Sequence, residues 1–114
     1  MARVVAFIPD LLFGSNVLGA LRAAGHDALL VSDPNALHRE LAGAQALVVD
    51  LTADAGERIG QVAAAQRPGV KTLAFYSHVE QDVRAQAELA GFDLVVPRSR
   101  MAREGGALVM RLLG

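Results

Sequence analysis

Cysteine is absent from the 114 residues, which excludes disulfides, thiolate nucleophiles and cysteine-ligated metals. Aromatic residues are scarce at 4%, so the core must be built from Val, Leu, Ile and Ala. No apolar stretch approaches the ~18 residues of a membrane span. The opening MARVVAFIPD carries one Arg and a short apolar run broken by Pro9, too little for a secretory signal and without a cleavage site. The chain is therefore expected to be cytoplasmic, with no membrane contact. A surplus of either charge is lacking too: the net charge is −1, without the basic excess of a nucleic-acid binder, so no direct nucleic-acid contact is expected. Lysine is nearly missing; Lys71 stands alone and every other basic residue is Arg.

What is present is a globular composition, 53% hydrophobic and 20% charged, of the size of one domain spanning residues 1–114. Short apolar runs alternate with helical patterns. Residues 4–8 read as a buried strand stopped by Pro9-Asp10. A helix is expected over 15–24, capped by Ser15 or Asn16, with Leu18, Leu21 and Ala24 inward and Gly25 as its stop. Residues 28–31 form the second strand, and Asp33-Pro34 is a strong helix start. Leu37 and Leu41 face inward from that helix, and Gly43 ends it. Residues 46–49 form the third strand, with Asp50 at its end. Asp54 and Glu57 read as a capping box for a helix with Ile59, Val62 and Ala63 inward, ended by Arg67-Pro68-Gly69. Lys71 to Tyr76 form the fourth strand. Ser77 and Glu80 read as another capping box, opening a helix with Val79, Val83, Ala87 and Ala90 inward, closed by Gly91. Residues 94–96 form the fifth strand, before Pro97, and 99–113 a last helix with Leu108, Val109 and Leu112 buried. Gly105-Gly106 is expected to weaken that helix and fray its first turns.

Strict alternation of strand and helix implies an α/β fold with a parallel sheet. Five strands in the order 2-1-3-4-5, sandwiched between two helical layers, give a flavodoxin-like (βα)5 fold. Ligands of such a sheet bind at the carboxyl ends of its strands, near the switch point. Asp10, Asp50, Ser77 and the Pro97-Arg98 pair are the polar residues there.

This order of elements, with Asp50 closing Leu47-Val48-Val49 and Ser77 closing the fourth strand, resembles the receiver domain of response regulators in two-component signalling, such as the chemotaxis regulator. The resemblance covers the whole chain. It implies Asp50 as phosphoacceptor, Ser77 as the hydroxyl donor to the phosphoryl oxygens, and Asp10 with Asp50 as carboxylates for a weakly held Mg2+. The family has two acids at the end of strand 1; here they read Pro9-Asp10, so one is missing. Its Lys after strand 5 is replaced by Pro97, with Arg98 next as the stand-in cation. Its aromatic switch residue on strand 5 is Leu94, and Asp54 stands where a proline is usual. His78 is bulkier than the small residue often found after the hydroxyl position.

The chemistry explains these residue types. A carboxylate attacking a phosphorylated donor brings anions together, and a hard cation with fixed positive donors must offset the repulsion. An Arg displaced by one position reaches differently from a Lys. His26 and His38 show no metal spacing and read as surface residues, while Arg98, Arg100 and Arg103 cluster at one helix start.

The resulting reading is a stand-alone receiver-like signalling protein rather than an enzyme, phosphorylated on Asp50 by a histidine kinase or engaging another signalling protein, with self-association into a homodimer as a route to output. The alternative is a pseudo-receiver, an interaction module without phosphotransfer. A third reading is a small-ligand or nucleotide-binding flavodoxin-like protein. It rests on the stretch from Phe13 through Gly14 to Gly19, which lacks the G-x-G-x-x-G spacing of a pyrophosphate turn.

Overall fold

The computed structural model describes residues 2–114. It alternates β1 (Arg3–Phe7), α1 (Leu11–Ala23), β2 (Asp27–Val31), α2 (Pro34–Glu40), β3 (Ala46–Asp50), α3 (Ala55–Ala65), β4 (Lys71–Tyr76), α4 (Gln81–Leu89), β5 (Leu94–Pro97) and α5 (Arg98–Leu113). All strand pairs are parallel, in the order β2-β1-β3-β4-β5. The expected (βα)5 architecture is what the chain adopts.

Two apolar layers hold the sheet between its helices. On one face Val4, Ala6, Val48, Leu73 and Phe75 pack against Val17 and Leu21 of α1 and Leu108 and Val109 of α5. On the other, Val5, Phe7, Leu47 and Val49 pack against Leu37 of α2, Val62 of α3, and Val83 and Ala87 of α4. Every residue of β3 is buried, which explains its unbroken apolar run: a central strand of a parallel sheet has no solvent face.

The helix starts differ from expectation in three places. First, α1 begins at Leu11 and not at Ser15, because Asp10 is its cap. Asp10 Oδ1 accepts from the N–H groups of Leu12 and Phe13, both at 3.1 Å. Leu11 and Leu12 are 66% and 78% exposed, so this first turn shows no inward apolar stripe. Val17 is buried where Leu18 is only half-buried, and Ala24 lies beyond the helix as its C-cap. The stretch from Phe13 to Gly19 is thus helical and makes no nucleotide-binding turn. A Cβ on Gly14 would sit 2.9 Å from Leu30 Cδ1; its bareness lets α1 lie close on β2.

Second, Asp54 adopts a left-handed conformation (φ 52°, ψ 43°) and makes no side-chain cap bond, so no Asp54–Glu57 capping box forms. In α3 Ala65 is buried and Ala63 exposed. Third, α4 opens at Gln81 without a side-chain cap. The Ser77 carbonyl accepts from the Glu80 N–H at 2.8 Å, which makes a turn where a capping box was expected. That turn lifts Val79 into solvent at 74% exposure and leaves Ala90 exposed as the C-cap.

The glycine pair in α5 also behaves contrary to expectation, since the helix is continuous from Arg98 to Leu113. A Cβ on Gly106 would meet Ala24 Cβ at 2.7 Å and the Ala20 carbonyl at 3.3 Å. The missing side chain is what allows α1 and α5 to cross closely, and tertiary packing outweighs the low helix propensity. His26 is not a plain surface residue either: it is half-buried, and its Nε2 is buried without a hydrogen-bond partner among the described residues.

Candidate functional site

The sequence-selected residues gather at the carboxyl edge of the sheet. Asp50 closes β3 and is only 5% exposed. A carboxylate this deep needs donors. Its Oδ1 accepts from the Thr52 N–H at 2.8 Å and from the Thr52 hydroxyl at 2.6 Å. This is a local aspartate turn, the side chain bonding the backbone two residues on. The Asp-x-Thr spacing was legible as such a turn, yet Thr52 was not singled out in the sequence.

Asp10 divides its two oxygens. Oδ1 caps α1, while Oδ2 faces Arg98 Nη2 at 3.6 Å. Both side chains are about half exposed, so the pair contributes ~0–1 kcal/mol. Arg98 is also held from below, its guanidinium carbon 4.2 Å from the centroid of the Phe13 ring. Phe13 leans in turn on the buried Phe75 of β4, with centroids 5.1 Å apart at 50°. The stack Phe75–Phe13–Arg98 fixes where the cation stands, with the guanidinium over the ring face as cation–π attraction requires. Phe13 stood in the sequence only within the candidate nucleotide-binding stretch, because nothing local relates it to the start of α5.

Ser77 follows β4 and is half-buried. It lines a cleft of about 490 Å3 with Phe13, Thr52, His78, Glu80 and Arg98. Structure therefore brings Ser77, Arg98 and Thr52 together on one cavity and sets Asp10 beside Arg98. Asp50 is not among the lining residues and reaches the cleft through Thr52. His78 is exposed at the cleft edge. Lys71 begins β4, at the opposite end of the sheet, and cannot supply a cation to this cleft.

The donor set for a divalent cation is thin. Among the described residues no group of three or more His, Cys, Asp or Glu side chains is placed to hold a metal. Pro9 offers no carboxylate, one oxygen of Asp10 caps a helix while the other faces a cation, and one oxygen of Asp50 is taken by Thr52. Among the described residues, no helix is long and apolar enough to cross a membrane.

Comparison with known proteins defines the class of fold. No model of a known protein family and no curated protein sequence matches the chain. Solved structures do. A response regulator receiver protein from Burkholderia phymatum superposes with a TM-score of 0.79 at 18% identity, covering 100% of this chain and 96% of that one. The receiver domain of sensor histidine kinase PA1611 from Pseudomonas aeruginosa, with magnesium in its active-site cleft, gives 0.78 at 18% identity over 99% and 98%. The non-phosphorylated HemR receiver domain from Leptospira biflexa gives 0.78 at 12% identity over 100% and 95%. The chain has the fold of response-regulator receiver domains.

Proposed function

We propose that this chain is a receiver-fold signalling module that acts through protein–protein contacts and does not depend on phosphotransfer. The observation that carries this reading is Arg98, stacked on Phe13 and facing Asp10 at 3.6 Å. A phosphoacceptor site keeps its acids free for a hard dication that offsets the charge of the incoming group. Here a resident guanidinium already faces one acid, and the other is buried against Thr52. The output then runs through a protein partner, a signalling protein such as a histidine kinase or a second copy of the chain.

A second reading is supported by the cleft itself, which Thr52, Ser77 and Arg98 line beside Asp50. In that reading Asp50 accepts a phosphoryl group, and the Ser77 hydroxyl with Arg98 offsets its charge. Mg2+ would be held by Asp10 and Asp50, weakly, since it competes with Arg98 for Asp10.

One titration separates the two. The amide NMR spectrum of the full chain is followed with Mg2+ and beryllofluoride, for the wild type and for Asp50→Asn. The interaction-module reading expects no saturable shifts at Asp50, Thr52 or Ser77 in either protein. Saturable shifts in the wild type that vanish in Asp50→Asn would replace it with the phosphoacceptor reading.

A further inference from the structure

A second cavity adjoins the cleft. It holds about 250 Å3 between α1 and α5, lined by Asn16, Val17, Ala20 and Met101. Phe13 and Ala102 line both cavities, so cleft and groove meet at these two side chains. The two ends differ in chemistry. The cleft end presents the Arg98 guanidinium, His78 and the Ser77 and Ser99 hydroxyls. Val17 and Met101 are 3% and 1% exposed and form an apolar floor to the groove, and Asn16 is the polar side chain among its lining residues.

We propose that the joined cavities bind a small amphipathic carboxylic acid, with its carboxylate on Arg98 and its apolar body running past Phe13 and into the α1–α5 groove. This goes beyond the interaction-module reading and does not rest on it. A guanidinium has five N–H donors in a plane that matches a carboxylate. Among the described residues the one ion-pair partner of Arg98 is Asp10, at 3.6 Å and half exposed, which leaves most of that fork for a ligand. Charge selects a monoanion. Asp10 faces the cation and Glu80 lines the same cleft, so a dianionic phosphate meets more carboxylate repulsion there than a monoanion does. Affinity requires the apolar body, because an exposed ion pair alone contributes little whereas each methylene laid on Phe13, Val17 and Met101 leaves water. The cleft alone lies within the size range of ligand sites.

The test is an amide NMR titration of the full chain with octanoate, acetate and 1-octanol as probes. Octanoate is expected to give saturable shifts at Phe13, Val17, Ser99 and Met101, binding at least tenfold tighter than acetate or 1-octanol. Arg98→Gln should weaken octanoate about tenfold and leave 1-octanol unchanged. Ala102→Trp, at an exposed position lining both cavities, should weaken octanoate by a similar factor while the remaining amide spectrum stays native. Equal binding of octanoate and 1-octanol, shifts that fail to saturate, or shifts centred away from α1 and α5 would each overturn the proposal. A native Ala102→Trp that binds octanoate like the wild type would do so as well.

Discussion

The two ends of the sheet use polar side chains in opposite ways. At the amino end they join one segment to another. Asp93 Oδ2 accepts from the Thr72 N–H at 2.8 Å and from its hydroxyl at 3.2 Å, and the Asp93 N–H donates back to the Thr72 oxygen at 3.2 Å. Arg3 donates to the Glu40 carbonyl at 3.0 Å and to its carboxylate at 3.1 Å, and the Gln45 side chain accepts from the Arg3 N–H at 3.1 Å. At the carboxyl end, the hydrogen bonds of Asp10 and Asp50 are local, to residues two or three positions on, and the link from Asp10 to another segment is its half-exposed ion pair with Arg98. The Ser77, His78, Arg98 and Ser99 side chains stand around an open cleft. The amino end ties segments together, whereas the carboxyl end lines a cleft with polar side chains.

Substitutions at three positions probe this contrast. The largest effect is expected at the amino end. Asp93→Ala removes the acceptor for two groups of Thr72, a residue that is 1% exposed. Leaving buried donors unpaired costs about 2 kcal/mol, read as a lower urea midpoint with an unchanged slope. A loss below about 0.5 kcal/mol would show that this end is not the stabilising one.

A smaller effect is expected at Asp10, where two roles separate. Asp10→Ala loses the α1 cap and should cost about 1 kcal/mol. Asp10→Asn keeps the cap and loses the charge, so its stability should stay within about 0.5 kcal/mol of the wild type. Equal losses in the two variants would assign the stability to the ion pair instead.

Arg98→Gln should cost least, about 0.5 kcal/mol, because both its ion pair and its cation–π contact are half exposed. Its consequence lies in the cleft, which loses its positive charge. A loss of about 2 kcal/mol in urea would make Arg98 a structural residue and erase the contrast between the two ends.

The sequence was informative wherever the signal is short-ranged and repeated. Runs of Val, Leu and Ala placed all five strands, and Gly25 and Gly91, with φ of 91° and 89°, marked helix ends that favour a residue without a Cβ. The position of Asp50 at the end of a central strand followed from the same pattern. Less was legible where several residues compete for one role. Asp10, Ser15 and Asn16 are all good caps, and the path of the chain leaving β1 chooses Asp10. Ser77 and Glu80 carry the capping-box residue types, yet a turn between them claims the backbone groups first.

Sequence alone thus determined the alternation of elements, the doubly buried central strand and the set of polar residues at one edge, since each follows from burial period and turn chemistry along the chain. Tertiary structure alone decided what those residues touch. Arg98 stands on Phe13 because α1 and α5 cross closely, and they cross closely because Gly106 has no side chain to hold Ala20 and Ala24 away. Contacts between segments so far apart in the chain leave no periodic trace in it; they arise only when the two layers close on the sheet.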